Sequence, residues 1–272
     1  IIGSKFQEFP LWSWNLGLGV NLSFIYTYDI FYWLSVFIPE NFLVNAYSIF
    51  IILKLYLSGL FLILYLKEIN VESYSSIIAA LTYAFCGYGL YAGPRHPFFI
   101  TPMLIFPLMI LATEKYINKG KDKLLIFSVF IATISHYYFL YMMGIGIIIY
   151  SIIRYYSLGE KNILINLFRI GIKSSIGMGL GAFAILPNII MFLNSSRLGG
   201  EHILKALYSK SYYLSFITSY IAPQISSNWT ILMFSGIVII TLPLLFSNIF
   251  KEYKYIRIIF FIMSLMLFIP YI

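Results

Sequence analysis

Residues 41–66 read NFLVNAYSIFIILKLYLSGLFLILYL, and this stretch decides the fold. It is a run of about 25 residues with one charge, Lys54, and a helix of that length crosses a hydrocarbon core of about 30 Å. The whole chain has the same character, because 61% of its 272 residues are hydrophobic and only 10% are charged. The mean hydropathy is +0.88. Such a chain has too few charges to coat a soluble globule, so we predict an integral membrane protein.

Further apolar runs predict an all-α fold, a polytopic transmembrane helix bundle that forms a single domain over residues 1–272. Helices satisfy every backbone polar group internally, as lipid requires. We expect about eight membrane segments, two of them short, because a full span needs about 20 apolar residues. The predicted spans are residues 42–66, 74–92, 98–113, 174–193, 231–246 and the run from 258, with residues 124–156 supplying the two short segments. Residues 93–97 read as a sharp turn with two prolines, 114–123 as a solvated loop and 154–173 as a polar gap.

Residues 124–156 allow two interpretations, a single tilted helix or a tight hairpin of two short helices. Charge parity favours a hairpin that turns near residues 135–138, because the basic segments before and after it then share one side. Each arm would be about 24 Å long at 1.5 Å per residue. Glycines predict close helix packing at two places, Gly144 with Gly146 and the string Gly177-x-Gly179-x-Gly181, which favours a packing face over a phosphate loop.

The cations predict the orientation, since twelve of the 18 Lys and Arg residues fall at every second gap between apolar runs. They are Lys67, Lys115, Lys119, Lys121, Lys123, Arg154, Lys161, Arg169, Lys173, Lys251, Lys254 and Arg257. The other side has Lys5, Arg95, Arg197, Lys205 and Lys210. By the positive-inside rule the side with twelve cations is cytoplasmic in the cell membrane. An interfacial loop with short helices at residues 1–41 and a loop at residues 194–230 then face outward.

Several classes of function and site are disfavoured by the sequence. The net charge is +8, and the cations lie beside apolar spans, so binding to lipid headgroups explains them better than binding to nucleic acid does. The chain has no P-loop, no dinucleotide fingerprint and no HExxH. His96, His136 and His202 match no ligand spacing, so we expect no metal site and no cofactor, while a divalent ion is left open. The single cysteine, Cys86, excludes an internal disulfide.

Arg95 and His96 are the first candidate site residues, because prolines on both sides of them fix the backbone. Arg95 either binds a phosphate, which its guanidinium fork matches, or extends to lipid headgroups from a helix end. His96 is a base, a phosphate donor or an ordinary loop residue. Arg197 near the outer mouth either holds a second phosphate or a sugar, or is a helix-end cation.

Two lone charges stand in apolar surroundings. Lys54 lies in the middle of a span, where it meets a lipid phosphate or an unseen carboxylate. Asp29 lies within an otherwise apolar, aromatic segment, residues 26–37, and we expect a surface-exposed acid there. The alternatives are that it assists an acceptor hydroxyl or holds a cation. Trp12 and Trp14 either stack on sugars or belong to the aromatic belt at the membrane interface.

In sequence order, several segments resemble the YfhO family of bacterial multi-pass membrane proteins. They are PLWSWNLGLGVN at 10–21, ALTYAFCGY at 80–88, RHPFFITPM at 95–103 with PL at 107–108, YYFLYM at 137–142, LP at 186–187 and SSR at 195–197. The family is similar to GT-C-type glycosyltransferases, which move a sugar from a polyprenyl-phosphate carrier to an acceptor outside the membrane. The resemblance also implies a link to glycosylation of lipoteichoic acid.

The resemblance further implies that this chain is a fragment, without the first helix and the C-terminal part, and is inactive by itself. The catalytic acid of such enzymes is expected before Ile1. At residues 28–31 the chain has Asp29 where the family pattern has Ser-Pro, so Asp29 is not expected to be the catalytic base. The candidate cavity residues carried over are Trp12, Trp14, Asn15, Gly17, Gly19, Arg95, His96 and Arg197.

The resemblance implies a membrane glycosyltransferase that uses a polyprenyl-phosphate-linked sugar and a cell-envelope polymer as its partners, together with membrane lipid. Arg95, with Arg197 or Lys54, would stabilise the leaving phosphate. The rival prediction is a transporter or flippase of lipid-linked sugars, which uses the same charges for binding without chemistry. Transporters often contain inverted repeats, and the absence of a convincing repeat in this sequence weighs against that class. A structural scaffold is a third alternative.

Overall fold

The computed structural model describes residues 12–14, 19–21, 29–193 and 209–214, and nearly all of these residues are helical. The described helices are α1 (Ile30–Leu34), α2 (Leu43–Glu68), α3 (Ser73–Ala84), α4 (Gly87–Arg95), α5 (Thr101–Lys119), α6 (Lys123–Ser135), α7 (Tyr137–Ser157), α8 (Ile163–Leu180) and α9 (Ala182–Leu193). Short 3-10 turns cover Ser35–Phe37, Glu40–Phe42 and Pro97–Phe99. Two strands of two residues each, β1 (Trp12–Ser13) and β2 (Val20–Asn21), pair antiparallel.

Three of the described helical segments are long and apolar enough to cross a membrane: Glu40–Glu68, Tyr137–Ser157 and Ile163–Leu180. Helix α6 is also apolar but is shorter than these three segments. The first segment contains the predicted span 42–66, and the second contains the second arm of the predicted hairpin. The prediction of an all-α membrane helix bundle is therefore confirmed.

The directions of α2, α5 and α7 follow from contacts at two levels of the bundle. Lys54 of α2 lies 3.0 Å from Thr101 at the start of α5, and Glu68 at the end of α2 pairs with Lys119 at the end of α5. Similarly, Gly146 of α7 packs against Phe106 of α5 near its start. Further along both helices, α7 meets the end of α5 through an ion pair described below. These three helices are therefore parallel.

Helices α6 and α8 run in the opposite direction to those three and parallel to each other. Asp122 before α6 pairs with Lys173 of α8 at 2.7 Å, and Gly177 of α8 packs against Ile126 of α6. Helix α6 ends after only 13 residues. The chain then reverses at His136, whose backbone is extended and whose ring accepts a hydrogen bond from the N–H of Tyr138. The hairpin alternative for residues 124–156 is the correct one, because α6 and α7 are separate helices that run in opposite directions. The His136 acceptor caps the second of them.

Three predicted boundaries are wrong. The span 74–92 is two helices, since α3 ends at Ala84 and α4 continues through the predicted turn to Arg95. A proline close to the end of a helix removes few backbone bonds, so α4 tolerates Pro94. The break lies at residues 85–86, where Gly89 comes so close to the chain that an added Cβ would be 2.7 Å from the carbonyl oxygen of Ala84.

The other two corrections concern charged segments that were read as loops. Helix α5 continues to Lys119 through most of the predicted loop 114–123, and α8 begins at Ile163 within the predicted gap 154–173. The predicted span 174–193 thus starts earlier, and it breaks at Gly181 between α8 and α9. A helix can contain charged side chains when they are paired or reach water. The prediction, which used charge alone to end the helices, therefore placed these ends wrongly.

Gly177 and Gly181 confirm the predicted packing face of α8. A Cβ at Gly177 would lie 2.6 Å from the carbonyl oxygen of Ile126, and one at Gly181 would lie 2.7 Å from Cγ2 of Thr133. Gly179 has no atom within 4 Å of its Cβ position and therefore takes no part in this contact. Close approach of α6 and α8 depends on the two buried glycines because any side chain would separate the helices.

Replacing Gly177 with Ala should destabilise the bundle by about 1–3 kcal/mol, because the added methyl group meets rigid backbone and forces the two helices apart. Gly179→Ala, two residues away on the same helix, is the matched control and should leave stability unchanged or slightly raised. Thermal unfolding of both variants in the same detergent measures the difference. Equal melting temperatures for the two variants would contradict the close α6–α8 packing.

Candidate functional site

Three chain segments meet through a buried polar network, which consists of Asp29, Lys54 and Thr101. Asp29 lies just before α1, Lys54 is in the middle of α2 and Thr101 is the first residue of α5. The ammonium of Lys54 donates to Oδ2 of Asp29 at 2.5 Å and to Oγ1 of Thr101 at 3.0 Å. The Thr101 hydroxyl donates to the same carboxylate oxygen at 2.5 Å. We call these residues the Asp29 network.

Burial makes the Asp29 network different from a surface ion pair. Asp29 is 1% exposed and Lys54 is 0% exposed. The second carboxylate oxygen of Asp29 accepts the backbone N–H of Phe31 at 3.0 Å, and the ring of Phe31 lies 5.0 Å from the Lys54 ammonium. Each charge therefore has several partners, as a charge removed from water requires.

The structure corrects one prediction about these residues and decides another. Asp29 is not surface exposed, and the alternative that it holds a cation is the correct one. Lys54 meets a carboxylate, one of its two predicted partners. The two residues are 25 positions apart. The available signal was that one lone acid and one lone lysine both stand in apolar segments, where each needs an opposite charge.

A small pocket with room for about one water molecule lies beside the Asp29 network. It is formed where α5 and α7 begin and α6 ends. Its lining is mostly apolar and aromatic: Asp29, Phe98, Thr101, Pro102, Ile105, Ser135, His136, Phe139 and Met143. The short length of α6 creates this space, because its last turn stops at the level where α5 starts.

Arg95 and His96 lie at the same end of the bundle as this pocket. Arg95 is the last residue of α4 and is exposed, with its guanidinium carbon 3.8 Å from the ring centroid of Tyr91. His96 is also exposed, and its ring lies 5.7 Å from that of Phe98. Phe98 in turn stacks on His136 at 6.1 Å. The aromatic contacts thus connect the predicted arginine turn with the hairpin tip. We call this end of the bundle the arginine end.

Other predicted site residues are placed only in part. Arg197, Asn15, Gly17 and His202 lie outside the described residues. For Trp12 the structure describes the backbone, which pairs with Asn21. Trp14 is exposed, a position that suits both predicted roles, stacking on a sugar and membership of an interface belt.

The opposite end of the bundle contains a second buried ion pair, which the sequence reading missed. Glu114 of α5 is 0% exposed. Its carboxylate accepts hydrogen bonds from Arg154 of α7, one from Nη2 at 2.5 Å and two from Nε at 2.9 and 3.0 Å. Tyr150 donates to the same carboxylate at 2.5 Å, and Asn118 donates at 2.9 Å. Bidentate Arg–carboxylate geometry of this kind is rigid, so the cluster fixes α5 to α7.

Further ion pairs at this end are more exposed. Lys119 pairs with Glu68, and Lys173 pairs with Asp122. The hydrogen bond from Lys173 lowers the pKa of the Asp122 carboxyl. We call this the basic end, because Lys119, Arg154 and Lys173, which were counted on one side of the membrane, all lie here. Their common location agrees with the predicted grouping of the cations.

The family assignment comes from a comparison of the whole chain with protein-family models. The model of the bacterial membrane protein YfhO matches residues 5–272. The chain belongs to the YfhO family. A search of curated proteins finds no match, and neither does a search of solved structures. Membership of this family makes the chain a bacterial membrane protein, as the resemblance implied.

The YfhO-family bundle contains, within the described residues, no group of three metal-ligating side chains that could hold an ion. What it offers at the arginine end is an exposed guanidinium and an imidazole beside an aromatic pocket. An exposed Arg at a helix end can bind an anionic group such as a phosphate, and aromatic rings can pack against the C–H faces of a sugar. The buried charges of the Asp29 network lie behind them and are already paired.

Proposed function

We propose that the full-length protein is a membrane glycosyltransferase. It moves a sugar from a polyprenyl-phosphate carrier to an extracytoplasmic cell-envelope acceptor such as lipoteichoic acid. The observation that carries this proposal is the location of Arg95, exposed at a helix end next to His96, whose ring contacts Phe98 of the pocket lining. A polyprenyl phosphate presents its anion at the membrane surface, and Arg binds phosphate oxygens through its planar fork.

The reaction we propose is an inverting displacement at the anomeric carbon. The acceptor hydroxyl oxygen forms the new bond to that carbon, and the bond from the carbon to the carrier phosphate oxygen breaks. The electron pair of that bond goes to the leaving phosphate, where Arg95 offsets the developing negative charge. The hydroxyl proton goes to a carboxylate, the catalytic base that the family resemblance implies. Arg197 is a second candidate for the phosphate.

The orientation that this reaction needs follows from the cations. Lys119, Arg154 and Lys173 meet at the basic end, and the positive-inside rule puts such an end in the cytoplasm. Arg95 and His96 at the arginine end then face the extracytoplasmic side. We propose the same side for residues 1–41 and 194–230. An impermeant thiol reagent applied to intact cells should label a cysteine placed at His96 and not one placed at Lys121.

The decisive experiment uses the purified full-length protein in proteoliposomes with a lipid-linked sugar and an acceptor. We expect release of polyprenyl phosphate together with a glycosylated acceptor. Movement of the intact lipid-linked sugar to the other leaflet, with no phosphate released, would instead identify a transporter or flippase. Neither release nor movement under conditions where the protein is folded would reject both functions.

A further inference from the structure

We propose that the Asp29 network is a positioning device for the Arg95–His96 turn, with Thr101 as the residue that transmits its effect. The role in sugar transfer rests on the function proposed above. The network also fixes the chain that enters α1 onto the core, because Asp29 belongs to that chain. Lys54, which the sequence suggested for the substrate phosphate, is in this interpretation a counter-ion of the scaffold.

The first step of the argument is that the paired charges do not face a ligand. Lys54 and Asp29 are almost completely buried, and the lysine already binds the carboxylate and the Thr101 hydroxyl. If Lys54 left Asp29 to bind a phosphate, the buried carboxylate would lose its cation, which is strongly unfavourable. A buried pair of this kind contributes a defined geometry to its neighbours.

The second step is that Thr101 is rigidly connected to Arg95. Between them, the N–H of Phe99 donates to the carbonyl of His96 at 2.8 Å, and the hydroxyl of Tyr88 donates to the carbonyl of Phe99 at 3.3 Å. Ile100 is fully buried against Gly93, where an added Cβ would lie 2.4 Å from Cδ1 of Ile100. These contacts leave few backbone torsions between Arg95 and Thr101 free to change, so a shift of Thr101 moves the turn.

The third step is that the network connects the turn to the other elements of the arginine end. Asp29 orients the start of α1 through the N–H of Phe31, and the ring of Phe31 packs edge-on against Phe50 of α2 at 5.9 Å. Lys54 belongs to the same helix. Asp29 and Lys54 therefore hold the segment before α1, the helix α2 and the start of α5 at fixed distances, with the pocket beside them.

Thr101→Val tests the proposal, because valine keeps the shape of threonine and removes the hydroxyl. A spin label attached to His96→Cys, in a Cys86→Ala background, reports the mobility of the turn by EPR without any substrate. We expect a more mobile label in Thr101→Val and the native line shape in Thr101→Ser, which keeps the hydroxyl. A label at Lys121→Cys, at the basic end, should give the same spectrum in all variants. If Thr101→Val gives no folded protein, Thr101→Ala is measured in the same way.

In unlabelled full-length protein, Thr101→Val should lower kcat/KM for sugar transfer by about tenfold, and Thr101→Ser should restore it. Unchanged mobility at position 96 in Thr101→Val would overturn the positioning role, whatever the activity. A mobile turn in a protein that transfers no sugar in its native form would support the positioning role and reject only the proposed function. A spectral change that also appears at position 121 would overturn the inference, since it indicates general loosening.

Discussion

Arg95→Ala in the full-length protein is expected to reduce sugar transfer by at least about 10²–10³-fold while expression and folding persist. The leaving phosphate gains negative charge as its bond to the sugar breaks, and the Arg95 guanidinium is an exposed cation at the arginine end that can offset this charge. The side chain is exposed and packs on the ring of Tyr91 at the protein surface, so its removal costs the fold little. Initial rates of polyprenyl phosphate release measure the effect.

Two further variants make this result specific. Arg95→Lys keeps the positive charge and loses the planar fork, so we expect an intermediate rate, because lysine binds phosphate only as a point charge. Arg169→Ala removes an equally exposed cation from α8 and should leave transfer unchanged, because Arg169 was counted with the cations of the cytoplasmic side. Full activity in Arg95→Ala would remove Arg95 from the mechanism and with it the main support for the proposed reaction.

Glu114→Ala is expected to cause the largest loss of stability, about 3 kcal/mol. Removing one partner of a buried ion pair costs about 3–5 kcal/mol, because the remaining charge has no partner. We expect the lower end of that range because the Arg154 side chain is 29% exposed and water can reach part of it. The variant also leaves the hydroxyl of Tyr150 without its acceptor. A fall in melting temperature in detergent measures the loss.

Asp122→Asn is the matched control for Glu114→Ala, because it breaks an ion pair at the same end of the bundle. The two side chains of the Asp122–Lys173 pair are 34% and 32% exposed, so its loss should cost far less than the loss of the Glu114–Arg154 pair. The hydrogen bond from Lys173 lowers the pKa of the Asp122 carboxyl, so the pair stabilises the fold above the carboxyl's ordinary pKa and this contribution is lost as the pH falls through the lowered pKa. Equal losses from both substitutions would contradict a special role for the buried cluster.

The main features that the sequence predicted correctly are those that depend on local composition. Residues 41–66 are apolar over a length that fits a bilayer, and α2 forms there. Charge parity predicted the reversal inside residues 124–156, and the chain does reverse at His136. Both predictions rest on the free-energy cost of placing polar backbone or charge in lipid. This cost depends on the composition of each segment and not on its neighbours.

The same reasoning failed where a charge is neutralised by a distant residue. Glu114 follows an apolar run and was assigned to a solvated loop, yet Arg154 pairs with it across 40 positions of sequence. Asp29 was likewise expected at the surface, because its partner Lys54 is distant in sequence. A lone charge in the sequence indicates that a partner is needed, but the identity of the partner depends on which helices pack together and in which direction.

The sequence by itself thus determined the solvent in which this protein folds, the helical class and the approximate position of the spans that the structure describes. The tertiary structure alone decided that Lys54 belongs to Asp29 and Thr101, that Gly177 and not Gly179 contacts α6, and that Phe98 connects the Arg95–His96 turn with the hairpin tip. Hydropathy is additive along the chain and can be read residue by residue. Ion pairing and close packing depend on distances of a few ångströms between remote segments, which only the assembled bundle fixes.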